Sequence, residues 1–207
     1  MNPMKLAENV TAYNFDPNIY VVEDFLSIDE CNLLINAGKE SLRKAEVITK
    51  DDVISSYHKG RTNSHSWIKH DATPDIHEIS KRFSILAQMT IRSAEDFQLV
   101  RYETNQEYQP HFDAFFSDTK EGAHHMMNGG QRVLTVLAYL NNVDSGGETI
   151  FPNLDISIKP HLGSVLVFEN CKKNSTEPHP NSLHGGAPVI SGEKWAINLW
   201  FRERLRY

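Results

Sequence analysis

In Tyr108-Gln109-Pro110-His111-Phe112-Asp113 a histidine and an aspartate stand two residues apart. In extended backbone that spacing puts both side chains on one face, where an imidazole nitrogen and a carboxylate oxygen can fill neighbouring corners of a metal polyhedron. Taken alone, such a pair reads as a hydrogen-bonded surface pair, because the spacing arises often by chance. Three features add to it. His184 lies in Ser182-Leu183-His184-Gly185-Gly186, whose glycines let backbone or ligand approach closely. Lys194 opens an apolar strand, and a lysine at the head of a buried strand calls for an anionic partner. Gly146-Gly147-Glu148-Thr149 separates two strand-like segments and supplies a hydroxyl. Two histidines and one aspartate form a facial set that leaves three positions open on an octahedral iron(II). A nearby cation would anchor a dicarboxylate.

Those residues need elements to hold them. Ser27 with Glu30 is a capping box, and Cys31, Leu34, Ile35 and Leu42 follow as a helical stripe that puts Cys31 in the core. A second helix is expected after Thr73-Pro74, burying Ile76, Ile79, Phe83 and Leu86. From about residue 96 the period changes. Strands are predicted at Phe97–Tyr102, Val133–Leu140, Asp155–Ile158, Gly163–Phe168 and Lys194–Phe201, separated by turn clusters. Helices first and many short strands afterwards give an α+β chain whose second half is a β-sandwich or jelly roll. Trp200 and Asn198 stand at even offsets from Lys194 and share its face, so Trp200 is either a pocket wall or core packing.

Composition removes several function classes. Lysine and arginine number 21 against 27 aspartates and glutamates, a net charge of −6 over 207 residues. Nucleic-acid binding rests on clustered cations, and the basic pairs here are dispersed, so no nucleic-acid partner is expected. Cys31 and Cys171 sit in unlike contexts without metal-binding spacing, as unpaired thiols of a reducing compartment do. The first fifteen residues lack a signal-peptide core, and no stretch approaches the roughly 20 apolar residues of a membrane span. The expectation is a cytoplasmic protein without a membrane partner; the sequence sets no oligomeric state.

Together these segments resemble the prolyl 4-hydroxylase family of iron(II)- and 2-oxoglutarate-dependent dioxygenases. The matching stretches are Val100-Arg101-Tyr102-Glu103, Tyr108 to Asp113, Gly130-Gln131-Arg132-Val133, Thr135 to Leu140, Gly146 to Thr149, Ser182 to Gly186 and Pro188 to Trp195. The likeness is dense over residues 97–202 and looser at Arg61-Thr62-Asn63-Ser64 with Trp67. It implies a double-stranded β-helix (jelly roll) core at about 96–207, supported by a helical N-terminal part at about 1–95, in one domain. It also implies His111, Asp113 and His184 as iron ligands. Lys194 would hold the far carboxylate of 2-oxoglutarate with help from Thr149 and Tyr102, and L-ascorbate would be the accessory reductant.

The activity implied is hydroxylation of a proline-containing peptide or protein, at carbon 4, with release of succinate and CO2. Tyr108 and Arg132 match positions that contact the peptide, and Phe115 and Phe116 are candidates to extend its groove. Two segments are expected to close over it as lids, Tyr57 to Trp67 and Phe116 to Gly130. His124-His125 lies in the second and is no expected metal site, and His58, His65, His70, His77, His161 and His179 read as surface or lid residues. Where the family ends this strand with Trp-Ile-His, the chain has Trp200-Phe201-Arg202, so Arg202 is expected to alter peptide contacts. Two alternatives stay open: a 2-oxoglutarate oxygenase with another substrate, and a non-catalytic jelly-roll module that binds metal or peptide.

Overall fold

The computed structural model describes residues 3–44, 47–48, 54–55 and 60–206. Its strands are β1 (Met4–Ala7), β2 (Val10–Phe15), β3 (Asn18–Val22), β4 (Arg43–Lys44), β5 (Val47–Ile48), β6 (Ile54–Ser55), β7 (Ser64–Ile68), β8 (Phe97–Tyr102) and β9 (Tyr108–His111). They continue as β10 (Arg132–Tyr139), β11 (Ser145–Gly146), β12 (Thr149–Phe151), β13 (Ile156–Ile158), β14 (Val165–Glu169), β15 (His184–Gly186), β16 (Val189–Ser191) and β17 (Lys194–Arg202). The α-helices are α1 (Ile28–Gly38), α2 (Pro74–Ala87) and α3 (Lys120–Met126).

Both expected helices start where their caps stand. The Ser27 hydroxyl accepts from the Glu30 amide, and the Glu30 carboxylate accepts from the Ser27 amide. Thr73 caps α2, whose first residue is Pro74, and Arg82 ties α2 to α1 through Glu30 and the Phe25 carbonyl.

A nine-stranded antiparallel sheet runs in the order β1-β2-β3-β14-β10-β17-β8-β7-β4. Alternation along its strands divides the core in two. One face carries Phe97, Leu99, Val136, Ala138, Ile197, Leu199 and Phe201 against Leu34, Ile76, Ile79 and Phe83 of the helices. The other carries Val100, Tyr102, Leu137, Tyr139, Leu166 and Phe168 against Phe151, Ile156 and Ile158 of a four-stranded sheet, order β13-β12-β15-β9. The gap between the two sheets holds the candidate site.

Three expectations are corrected. The N-terminal part is not helical from its start: β1 to β3 precede α1 and join the large sheet through β14. Ile19 and Val21 are buried there, but the flanking Asn14, Asp16 and Asn18 break the apolar run that would have marked strands. His70 and His179 are buried rather than at the surface, because each finds a partner. His70 Nε2 lies 2.8 Å from the Glu95 carbonyl oxygen, and His179 Nε2 lies 3.3 Å from Asp16. The segment Phe116 to Gly130, expected as a loop, contains α3, capped by Thr119. Tyr57 and His58 lie outside the described residues. Among those described, no helix is long and apolar enough to cross a membrane.

Candidate active site

β9 and β15 pair antiparallel with His111 opposite His184. The approach is close because position 185 is glycine: a Cβ there would stand 2.7 Å from the Tyr108 carbonyl oxygen. Asp113 follows two residues after His111, its Oδ1 3.6 Å from His111 Nε2 and its Oδ2 3.5 Å from His184 Nε2. One ligating atom from each of the three lies within 4.8 Å of the others, the only such group of three among the described residues.

Outer contacts aim these groups. His111 Nδ1 hydrogen-bonds the Gln109 carbonyl at 2.9 Å and His184 Nδ1 the Ser182 carbonyl at 2.8 Å. A proton on each Nδ1 leaves Nε2 with a bare lone pair turned to Asp113. The Thr135 hydroxyl donates to Asp113 Oδ2 at 2.7 Å and accepts from Asn170. Tyr108 stacks on the His111 ring at 3.6 Å between centroids, and Phe168 packs on His184 at 4.6 Å.

Electrostatics agree with this geometry. Burial pulls His184 down to about 4, so its imidazole is neutral at physiological pH. Burial alone would raise the Asp113 carboxyl, but His184, His111 and Arg132 hold it well below the usual carboxylate range. A neutral imidazole and an ionised carboxylate are the forms that bind a divalent metal. The donor set fits iron(II).

At the other end of the same pocket stands Lys194, the first residue of β17, with 3% of its surface exposed. Its ammonium donates to the Gly147 carbonyl at 2.7 Å, and among the described residues it has no ion pair. Gly147 offers that oxygen from a left-handed turn, φ +73°. Burial lowers Lys194 to about 8, against the attraction of Glu148. Around it stand Tyr102 and Tyr139, and the Tyr139 hydroxyl donates to Thr149 at 2.8 Å. A buried cation whose neighbours are a carbonyl and two aromatic rings, with no ion pair among the described residues, fits an incoming carboxylate.

The pocket holds about 150 Å3. Of the side chains singled out from the sequence, it is lined by His111, Asp113, His184, Lys194, Thr149, Tyr102, Trp200, Tyr108, Arg132 and Asn198. Trp200 is both wall and core, 6% exposed, with its buried Nε1 unpartnered. Arg132 lies over the Trp200 ring at 3.8 Å and gives Nε and Nη2 to Glu95 at 2.7 and 2.8 Å.

Arg202 does not act where the sequence put it. It is 4% exposed and absent from the pocket wall. Its guanidinium bonds Glu95, the Gly130 carbonyl and the His125 carbonyl, which fastens the end of α3 and the following turn to β17. Phe115 and Phe116 are not pocket residues either: Phe115 stacks on His125 and Phe116 meets Phe112.

The sequence reading missed the roles of Glu95, Thr135, Asn170 and Gln98, and left Arg61 without one. Arg61 covers the Tyr108 ring at 4.7 Å and bonds Gln98. For Gln98, a polar residue at a pocket-facing position of an otherwise apolar strand was the available signal.

The family model described as the 2OG-Fe(II) oxygenase superfamily matches residues 97–202. A putative prolyl 4-hydroxylase of Acanthamoeba polyphaga mimivirus is 38% identical over 89% of this chain and 74% of its own length. Prolyl 4-hydroxylase 2 of Arabidopsis thaliana is 34% identical over 97% of the chain and 71% of its length. The chain belongs to the prolyl 4-hydroxylase family. Among solved structures it resembles the 2OG complex of the viral collagen prolyl hydroxylase of Paramecium bursaria Chlorella virus-1. The TM-score is 0.69 and the identity 28%, covering 89% of this chain and 95% of that one. Membership in this prolyl 4-hydroxylase family implies Fe(II) and 2-oxoglutarate, the two groups that the ends of the pocket suit.

Proposed function

We propose that the chain is an Fe(II)- and 2-oxoglutarate-dependent dioxygenase that hydroxylates peptidyl proline at carbon 4. The observation that carries this reading is the pairing, in one pocket, of a two-histidine and carboxylate triad with a buried lysine that has no ion pair among the described residues. His111, Asp113 and His184 would hold iron, and Lys194 with Thr149 and Tyr102 would hold the far carboxylate of 2-oxoglutarate. With both bound, the site supplies oxidative hydroxylation coupled to conversion of 2-oxoglutarate into succinate and CO2. L-Ascorbate is the accessory reductant, and the setting is cytoplasmic, in keeping with the unpaired thiols Cys31 and Cys171.

The chain's own work is orientation and exclusion of water. Tyr108 and Trp200 offer flat apolar walls to a prolyl ring. Arg132, whose Nη1 is not engaged by Glu95, serves a peptide carbonyl. Polyproline II segments suit such a site, because their preformed extended backbone loses little entropy on docking.

The test is succinate release from 2-oxoglutarate in air with iron(II) and ascorbate, with and without a proline-rich peptide. The expected result is stimulation by peptide, a gain of one oxygen mass on proline and 4-hydroxyproline on hydrolysis, all lost in His111→Ala. Turnover that no peptide stimulates would discard the substrate, and iron binding without turnover would discard the oxygenase.

A further inference from the structure

Asn170, the residue directly after β14, is a fully buried amide, 0% exposed. Its backbone N–H donates to the Val133 carbonyl at 3.0 Å, which ties it to β10. Its other polar groups run in two directions. Each leads to a different member of the candidate metal triad.

The side-chain route leads to Asp113. Asn170 Nδ2 donates to the Thr135 hydroxyl at 2.8 Å, and that hydroxyl donates to Asp113 Oδ2 at 2.7 Å. A hydroxyl has one proton to give, an amide NH2 group only donates, and an ionised carboxylate only accepts. With Asn170 on its lone pair, Thr135 sends its proton to Asp113; the amide oxygen lies farther off, at 3.2 Å. Thr135 and Asp113 are both buried, where such a chain of hydrogen bonds holds its direction.

The backbone route leads to His184. The Asn170 carbonyl accepts from the His179 amide at 2.9 Å and from the Ser182 hydroxyl at 3.2 Å. These two donors bracket the short 3-10 turn Pro180–Ser182. The Ser182 carbonyl at its end meets His184 Nδ1 at 2.8 Å. Phe168, two residues before Asn170, packs on the His184 ring from β14.

We propose that Asn170 is a positioning residue for the metal centre: through Thr135 it turns Asp113, and through the Pro180–Ser182 turn it sets His184. Two of the three ligands, on segments distant in the chain, are thereby referred to one fixed point. The proposal rests on the reading of the triad as an iron site and is independent of the peptide.

The experiment loads wild type and variants with Co(II), a coloured stand-in for Fe(II). Calorimetry reads the dissociation constant and visible absorption the ligand field, at a temperature where circular dichroism shows each variant folded. Thr135→Val, which keeps the shape and removes the proton, is expected to weaken binding about ten- to a hundredfold, the usual scale for a lost outer partner of a metal ligand. Thr135→Ser retains the hydroxyl and should keep the affinity and spectrum of wild type. Asn170→Ala is expected to weaken binding about three- to tenfold, the worth of one buried hydrogen bond. In Thr135→Val with Asn170→Ala the second change should cost nothing more, because both act on Asp113 by one route. Ser182→Ala acts on His184 instead, so its loss should add to that of Thr135→Val. Unchanged Co(II) affinity in Thr135→Val, Asn170→Ala or Ser182→Ala, even with a lowered melting temperature, overturns the proposal. So do losses that simply add in the Thr135 and Asn170 double variant. If wild type binds no Co(II), the iron reading itself fails and takes this proposal with it.

Discussion

Two cationic centres are buried in the same sheet. Lys194, at one end of β17, has a carbonyl and two aromatic rings for neighbours and no ion pair among the described residues. At the other end of β17, Arg202 with Arg132 shares the carboxylate of Glu95 at 2.7 to 2.9 Å. Burial alone would raise the Glu95 carboxyl, yet Arg132, and Arg202 after it, hold it below its usual value. Burial lowers Lys194 unopposed except by Glu148. A buried charge that carries its own counter-charge builds scaffold; one that lacks it is matched to a ligand. The contrast can be read without knowing the ligand, and it separates two centres that composition makes look alike.

The sharpest test removes the lone cation. Lys194→Met is expected to raise the KM for 2-oxoglutarate about a hundredfold or more, as loss of one partner of a buried charged contact does. Its melting temperature should hold or rise, since an uncompensated buried charge has been taken away. A falling melting temperature with unchanged KM would make Lys194 scaffold and break the comparison.

Glu95→Gln probes the other centre. It leaves Arg132 and Arg202 without their counter-charge and is expected to lower unfolding free energy by about 3–5 kcal/mol in a denaturant titration. The 2-oxoglutarate KM should move little. Adding Arg202→Met to Glu95→Gln should return part of the stability, because one orphaned guanidinium is gone.

The smallest expected effect is the response to pH. Only the ammonium form of Lys194 attracts a carboxylate, and in the free protein that form is lost as pH rises through about 8. Affinity for 2-oxoglutarate is therefore full below that value and weakens about tenfold per pH unit above it. Calorimetry across pH 7 to 10 would show the slope, and Lys194→Met should show none. A flat wild-type profile would mean that the lysine stays charged, with a partner supplied elsewhere.

Where structure depends on near neighbours, the sequence was legible. The capping box at Ser27 and Glu30 fixed the start of α1, and Thr73-Pro74 that of α2. The apolar run Phe97–Tyr102 matches β8 end to end. Even offsets from Lys194 put Asn198 and Trp200 on its face, as the pocket wall has them. α3 was hidden, because a seven-residue helix with a glycine and two histidines leaves little apolar periodicity. Arg202 was misplaced toward the peptide for a different reason: its partner is Glu95, 107 residues away in the chain.

By itself, then, the sequence determined which side chains can ligate a metal, which cation heads a buried strand, and which residues share a strand face. Those properties follow from residue chemistry and from a period of two, both local in the chain. Tertiary structure decided which buried cation is already paired and where the pocket ends. It turned Arg132 onto Trp200 and Glu95 and sank Arg202 beneath the turn after α3. Such pairings depend on strands distant in sequence meeting in one register, and a buried charge becomes scaffold or site only when that register gives or denies it a partner.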